Sequence, residues 1–305
     1  MRGALCTIFC AAQLGAQKIP VPVASAADVA IATGRLEDAE QLLFAASSRA
    51  THEPSARGAL GMYLASRGRL RIGTVLLEEA RQFGGDPQEI DARLARIYPW
   101  LGDWAALAAL KHYAISGPEH DRARWLAAHA TTVGGADSVV ATIEPNDVYG
   151  LGRIVLLFQG APMPVDIDPS VDGLVLPSSP VVTGASEQFG MRDSSTVAVV
   201  REFAIGTLRF SNVRARLAPA ARPAIGLDVL AILEPTFDIG AHRLTLRRKN
   251  VAIAGDSMAV LLGFPGVRVV PRAGSAPVAL ESAAGRAALR GVPWTFDFKR
   301  GAIVR

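Results

Sequence analysis

Gly34, Gly68 and Gly102 stand at a constant interval of 34 residues, and the apolar positions after them keep step: Leu42 with Leu76 and Leu110, Ala46 with Ala80 and Ala114. A fixed period of this length restricts a chain to stacked supersecondary units, because a single unit cannot bury its apolar face alone. Each glycine is placed to make the turn between two helices, and the alanine twelve positions later lets neighbouring helices approach closely. Pro54 and Pro87 end the first two units, since proline cannot continue a helix. The third unit is degenerate, with Trp104 where the others carry leucine, and Pro118 to Thr132 reads as a closing helix.

The first unit, Gly34-Arg-Leu-Glu-Asp-Ala-Glu-Gln-Leu-Leu43, resembles the tetratricopeptide repeat. The resemblance implies that residues 18–132 form an α-solenoid of helix pairs with a concave surface for peptides. Gly134-Gly135-Ala-Asp-Ser138 then reads as the start of a linker spanning 133–149. Beyond it the pattern changes to short alternating or continuous apolar runs. Arg153–Phe158, Val165–Asp168, Leu174–Leu176, Thr196–Val200, Leu208–Leu217 and Leu244–Leu246 read as strands of an all-β unit over 150–249.

An internal echo follows that unit. Gly226 lies twelve residues before Asp238 in Thr236-Phe-Asp238, and Gly285 lies twelve before Asp297 in Thr295-Phe-Asp297, with Leu230 and Leu289 four after each glycine. Pro277-Val-Ala-Leu-Glu-Ser282 also parallels Pro164-Val-Asp-Ile-Asp-Pro169. Residues 250–305 are therefore expected to hold a partial second copy of the β unit.

Val165-Asp-Ile-Asp-Pro-Ser-Val-Asp-Gly-Leu-Val-Leu176, Ile225-Gly-Leu-Asp-Val-Leu230 and Thr236-Phe-Asp238 together resemble the retropepsin-like aspartic proteases. The resemblance implies an acid-protease barrel with Asp168 in the catalytic position, Gly226 in a structural turn, and Asp228 at the start of a short helix whose N-terminus favours a carboxylate. Catalysis in that family needs two carboxylates sharing one proton, one activating water and the other protonating the peptide carbonyl. The second carboxylate comes from another lobe or another subunit; Glu281 is the weak second-lobe candidate, and a homodimer would use Asp168 twice. Pro169 stands where the family has Thr or Ser, and Ser170 where it has Gly. Proline brings neither a hydroxyl nor an amide hydrogen, and Ser170 puts a side chain where the backbone must approach closely. The reading is thus a catalytically impaired family member, a pseudoenzyme that binds a peptide or protein. The alternative is an active homodimeric aspartic endopeptidase. Asp166 shares a strand face with Asp168 and reads as a solvated strand residue.

The net charge of +4 is carried by scattered arginines among acidic residues, and aromatics make up 6% of the chain, so no basic, aromatic-studded nucleic-acid surface is expected. No phosphate loop, metalloprotease helix or serine elbow occurs, and His112, His120 and His129 are not spaced to share a helix face. No cofactor or metal site is expected. Both cysteines, Cys6 and Cys10, fall in a short apolar run that follows Arg2 and precedes Gln13-Leu-Gly-Ala16. Residues 1–17 read as a signal peptide, too short to span a membrane, so the expected location is secreted or periplasmic.

Overall fold

The computed structural model describes residues 23–112, 115, 117–146, 150–248, 257–263, 266–298, 300 and 302–304; the expected signal peptide with Cys6 and Cys10 lies outside the described residues. The N-terminal part is helical: α1 (Val23–Ala32), α2 (Leu36–Arg49), α3 (Pro54–Ser66), α4 (Leu70–Gln82), α5 (Pro87–Leu101), α6 (Trp104–Ala109) and α7 (Gly117–Ala128). Pro54 and Pro87 open α3 and α5 at the position where a missing N–H costs nothing, each behind an acidic N-cap, Glu53 and Asp86. The turns α1–α2, α3–α4 and α5–α6 are the same motif three times. Gly34, Gly68 and Gly102 have φ of 72°, 78° and 68°. The next residue donates its N–H five positions back, Arg35 to Ala30, Arg69 to Leu64 and Asp103 to Tyr98. This is the Schellman arrangement, and it accepts glycine best because a Cβ is disfavoured at positive φ. The second helix of the third unit, α6, is short, and the buried Trp104 that opens it turns toward the β part of the molecule.

The strands are β1 (Thr132–Gly135), β2 (Ser138–Thr142), β3 (Arg153–Phe158), β4 (Ala161–Ile167), β5 (Leu174–Pro177), β6 (Ser186–Arg192), β7 (Ser195–Ile205), β8 (Leu208–Ala218), β9 (Ala224–Ile225), β10 (Glu234–Asp238), β11 (Arg243–Arg247), β12 (Ser257–Leu262), β13 (Val267–Val270), β14 (Val278–Ala279), β15 (Trp294–Asp297) and β16 (Ala302–Val304). Short helices α8 (Pro180–Gly184), α9 (Leu227–Leu230) and α10 (Ala283–Ala288) interrupt them. Among the described residues the first sheet runs β1-β8-β5-β9-β4-β3-β7-β6, and a further pairing of β7 with β8 closes its middle into a barrel. Phe158, Phe203 and Phe210 fill the interior, the last two stacked at 4.9 Å. Two-residue β9 is wedged between β4 and β5, parallel to the first and antiparallel to the second.

Much of the described part of the segment expected to be a linker lies in strands. β1 joins the barrel beside β8, and β2 pairs with β11 in the second sheet. Its glycines mark a change of sheet rather than a free tether: Gly135 has φ of 91°, and a Cβ there would sit 2.1 Å from the Thr207 carbonyl oxygen. The second sheet runs β14-β13-β12-β16-β15-β10-β11-β2, so strands from both sides of residue 249 share it. One buried apolar cluster runs from Leu77 and Leu94 through Trp104 and Leu126 into the barrel and on to Phe296 and Ile303. The helical and β parts share this buried cluster. No described helix is long and apolar enough to cross a membrane.

Candidate functional site

β4 alternates between half-buried and exposed residues up to Pro164 and then buries Val165, Asp166 and Ile167 in succession. Pairing with β3 on one side and β9 on the other encloses this end of the strand. Asp168 follows directly, 5% exposed, its N–H donated to the Ile225 carbonyl at 3.0 Å. The chain turns through buried Pro169 and exposed Ser170. Gly226 closes the back of the turn. A Cβ on it would lie 2.4 Å from the Val171 carbonyl oxygen and 2.3 Å from Asp228 Oδ1, so only glycine fits.

Burying a carboxylate is costly unless it is paired and hydrogen-bonded. Asp168 Oδ1 accepts from Ser170 N at 2.9 Å and Ser170 Oγ at 2.6 Å, and Oδ2 accepts from Arg222 Nη2 at 2.5 Å. Asp166, expected to be solvated, is 1% exposed. Its Oδ1 accepts from Arg153 Nε at 3.0 Å and Asn146 Nδ2 at 2.8 Å, and its Oδ2 from Arg222 Nη1 at 3.2 Å. Spacing by two on a strand does bring the carboxylates to one face, and there one guanidinium bridges both. The hydroxyl brought by Ser170 bonds the carboxylate of its own turn.

Asp228 supports the turn from below. It accepts from Gly173 N at 2.9 Å and from Arg214 Nη2 at 2.9 Å and Nε at 3.2 Å. Asp172 lies 3.3 Å from the same Arg214 nitrogen. Burial works against the Arg214 charge, but Asp228 and Asp172 hold its pKa above the usual guanidinium value. Burial pushes the Asp172 carboxyl up, against the pull of Arg214. The Arg214 guanidinium also lies over the Trp104 ring at 5.8 Å, tying this cluster to the helical part.

Glu281 follows β14 as Asp168 follows β4. Its Oε2 is buried without a hydrogen-bond partner, and its carbonyl oxygen accepts from Arg286 Nη1. His120 lies 3.1 Å from the Ala108 carbonyl oxygen and His129 stacks on Trp125, while the His112 N–H is donated to Asp91. Arg222, Arg214, Arg153 and Asn146 escape a reading of the sequence. Each is remote in the chain from the carboxylate it serves, and arginine is too common here for any one to stand out. The one available signal is the place of Arg222 just ahead of Ala224-Ile225, and it acquires meaning only once β9 is known to lie against β4.

No family model matches the chain, and no curated protein matches it. Among solved structures it is similar to the crystal structure of a retropepsin-like aspartic protease from Rickettsia conorii, at 14% identity and a TM-score of 0.28, over 38% of this chain and 92% of that chain.

Proposed function

We propose that this protein is an exported aspartyl-protease-like pseudoenzyme that binds a peptide or protein without cleaving it. The observation that carries the reading is Arg222, which meets Asp168 at 2.5 Å and Asp166 at 3.2 Å. A proteolytic pair needs a second carboxylate and a shared proton at this place; a guanidinium supplies neither, and it compensates the negative charge that would activate water. Pro169 adds to this by removing a donor from the turn. Misplacing a catalytic group by about 1 Å can cost on the order of 100-fold in rate.

The binding half of the proposal is supported by a cleft of about 380 Å³ between the α5–α6 turn and α9, walled by Trp100, Trp104, Val213, Val229 and the exposed Ile232, with Arg214 and Asp228 among its polar groups. Apolar walls with a few placed charges suit a peptide side chain. In this proposal the three helical units serve as a short tetratricopeptide-like solenoid that presents the cleft, and the basic, apolar N-terminus directs export. Protein recovered from the host's envelope fraction, with its N-terminus sequenced, is incubated with a carboxymethylated unfolded protein beside an Asp168→Ala variant. The expected result is an N-terminus near Gln17, no cleavage that depends on Asp168, and equal retention of the unfolded protein by both. Cleavage lost in the variant would establish the endopeptidase alternative. Absence of both cleavage and retention overturns the binding reading, and an intact Met1 on soluble protein overturns export.

A further inference from the structure

The second sheet contains the same three-stranded unit twice, in the same register. In the first unit Thr236 pairs with Thr245, Phe237 with Leu244 and Asp238 with Arg243. In the second, Thr295 pairs with Val304, Phe296 with Ile303 and Asp297 with Ala302. The third strands keep step as well: Ala141 and Thr142 of β2 lie against Leu244 and Arg243, and Met258 and Ala259 of β12 against Ile303 and Ala302. Each hairpin is closed by its aspartate, with Asp238 Oδ1 accepting from Ala241 N at 2.9 Å and Asp297 Oδ1 from Arg300 N at 3.0 Å.

The likeness extends upstream of both hairpins. Ile167 N donates to the Gly152 carbonyl at 2.8 Å, and Leu280 N to the Val267 carbonyl at 2.9 Å, so the β13–β14 hairpin matches β3–β4, and Glu281 matches Asp168. Gly226 and Gly285 both sit where a Cβ would strike a carbonyl oxygen, that of Val171 at 2.4 Å and that of Ala279 at 2.2 Å. The chain then differs. After β14 it enters α10 directly, without counterparts of β5 to β9.

The two units meet along β10 and β15, where Thr236 pairs with Thr295 and their hydroxyls are 2.7 Å apart. Phe237 and Phe296 pack edge to face beside them at 5.1 Å. An exchange of the two units carries the Thr236–Thr295 pair onto itself, which is the geometry of an isologous interface between two identical subunits. Without the second unit, β10 would be an open edge with unpaired backbone groups, a template for another chain.

We infer that residues 257–304 are a reduced internal copy of the β unit and fill, within one chain, the place a second subunit would take. The partner for the β10 edge is the protein's own C-terminal segment, so this edge is closed to a second copy and to an added peptide strand.

The test uses the full chain with Cys6→Ser and Cys10→Ser, adding Thr236→Cys and Thr295→Cys together or Thr236→Cys alone. Oxidation with diamide, which takes up the two thiol hydrogens, should give the double variant one disulfide inside a monomer on a non-reducing gel, and the single variant no linked dimer. A linked dimer from either variant, or a double variant whose thiols both stay free in folded protein, overturns the inference. Light scattering of the unsubstituted chain over a wide concentration range keeps the question open to decision should the double variant fail to fold: a monomer is expected, and a dimer overturns it.

Discussion

Asp166 and Asp168 are 1% and 5% exposed, and each buried carboxylate is hydrogen-bonded on both oxygens; their arginine donors reach water, Arg222 at 35% and Arg153 at 42% exposure, so removing one should cost less than the about 3–5 kcal/mol typical of a fully buried pair. Tyr63 follows the same rule with a neutral group. Its hydroxyl donates to the Leu36 carbonyl at 2.5 Å, joining α3 to the start of α2. Burial, opposed by Arg67, pushes its pKa from 10.0 up to about 12. The folded chain therefore holds a proton that the unfolded chain releases, and the stability that this contributes is complete below the unfolded pKa and lost as pH rises through the folded one. Tyr63→Phe is expected to cost about 1 kcal/mol at neutral pH, in urea unfolding, and the gap to the parent should narrow between pH 10 and about 12. A gap unchanged over that interval would refute the assignment. Arg122, which burial lowers to about 10, titrates in both proteins and drops out of the comparison.

At the scale of elements, the three helix turns share one backbone shape and differ in what stands beside them. A Cβ at Gly102 would meet nothing within 4 Å, whereas at Gly34 it would lie 1.8 Å from the Ser275 carbonyl oxygen. The α1–α2 turn is packed on the far end of the second sheet, where Leu36 contacts Leu261 and Val270. Gly102→Ala should thus cost only the positive-φ penalty, about 1–2 kcal/mol. Gly34→Ala should cost that and a further 1–3 kcal/mol, roughly, for forced displacement of packed backbone. Chemical denaturation of the two variants decides it, and equal losses would show that the turn does not bear on the sheet. The 34-residue spacing makes both turns readable from sequence. Only the fold separates a turn in open space from one pressed on a strand.

For the whole molecule, the continuous core and the placement of β1 in one sheet and β2 in the other predict a single cooperative unfolding transition. Far-ultraviolet circular dichroism, dominated by the helices, and tryptophan fluorescence, reporting Trp104 and Trp125 on the helical side and Trp294 in the second sheet, should give coincident thermal curves. Helical signal lost well before the fluorescence change would show two independent bodies. Limited proteolysis should likewise leave 132–142 intact, since its backbone is hydrogen-bonded into the sheets.

Local order was legible wherever it rests on local chemistry. Glycine at a recurring position foretold three turns between helices, Pro54 and Pro87 were read as ending units and instead open α3 and α5, and apolar runs such as Arg153–Phe158 foretold strands, because positive φ, a missing N–H and side-chain alternation act within a few residues. The repeated Thr-Phe-Asp was also visible along the chain. That the two copies lie against each other was not, since strand pairing across 59 residues leaves no mark on either strand. The same limit applies to the candidate site. Asp168, Pro169, Ser170, Gly226 and Asp228 could be named from motif order, but Arg222 reaches Asp168 across 54 residues and Arg153 and Asn146 reach Asp166 across 13 and 20. A charge's partner is set by which strands the barrel brings side by side, and so tertiary structure alone decided that the carboxylate at this turn faces a guanidinium.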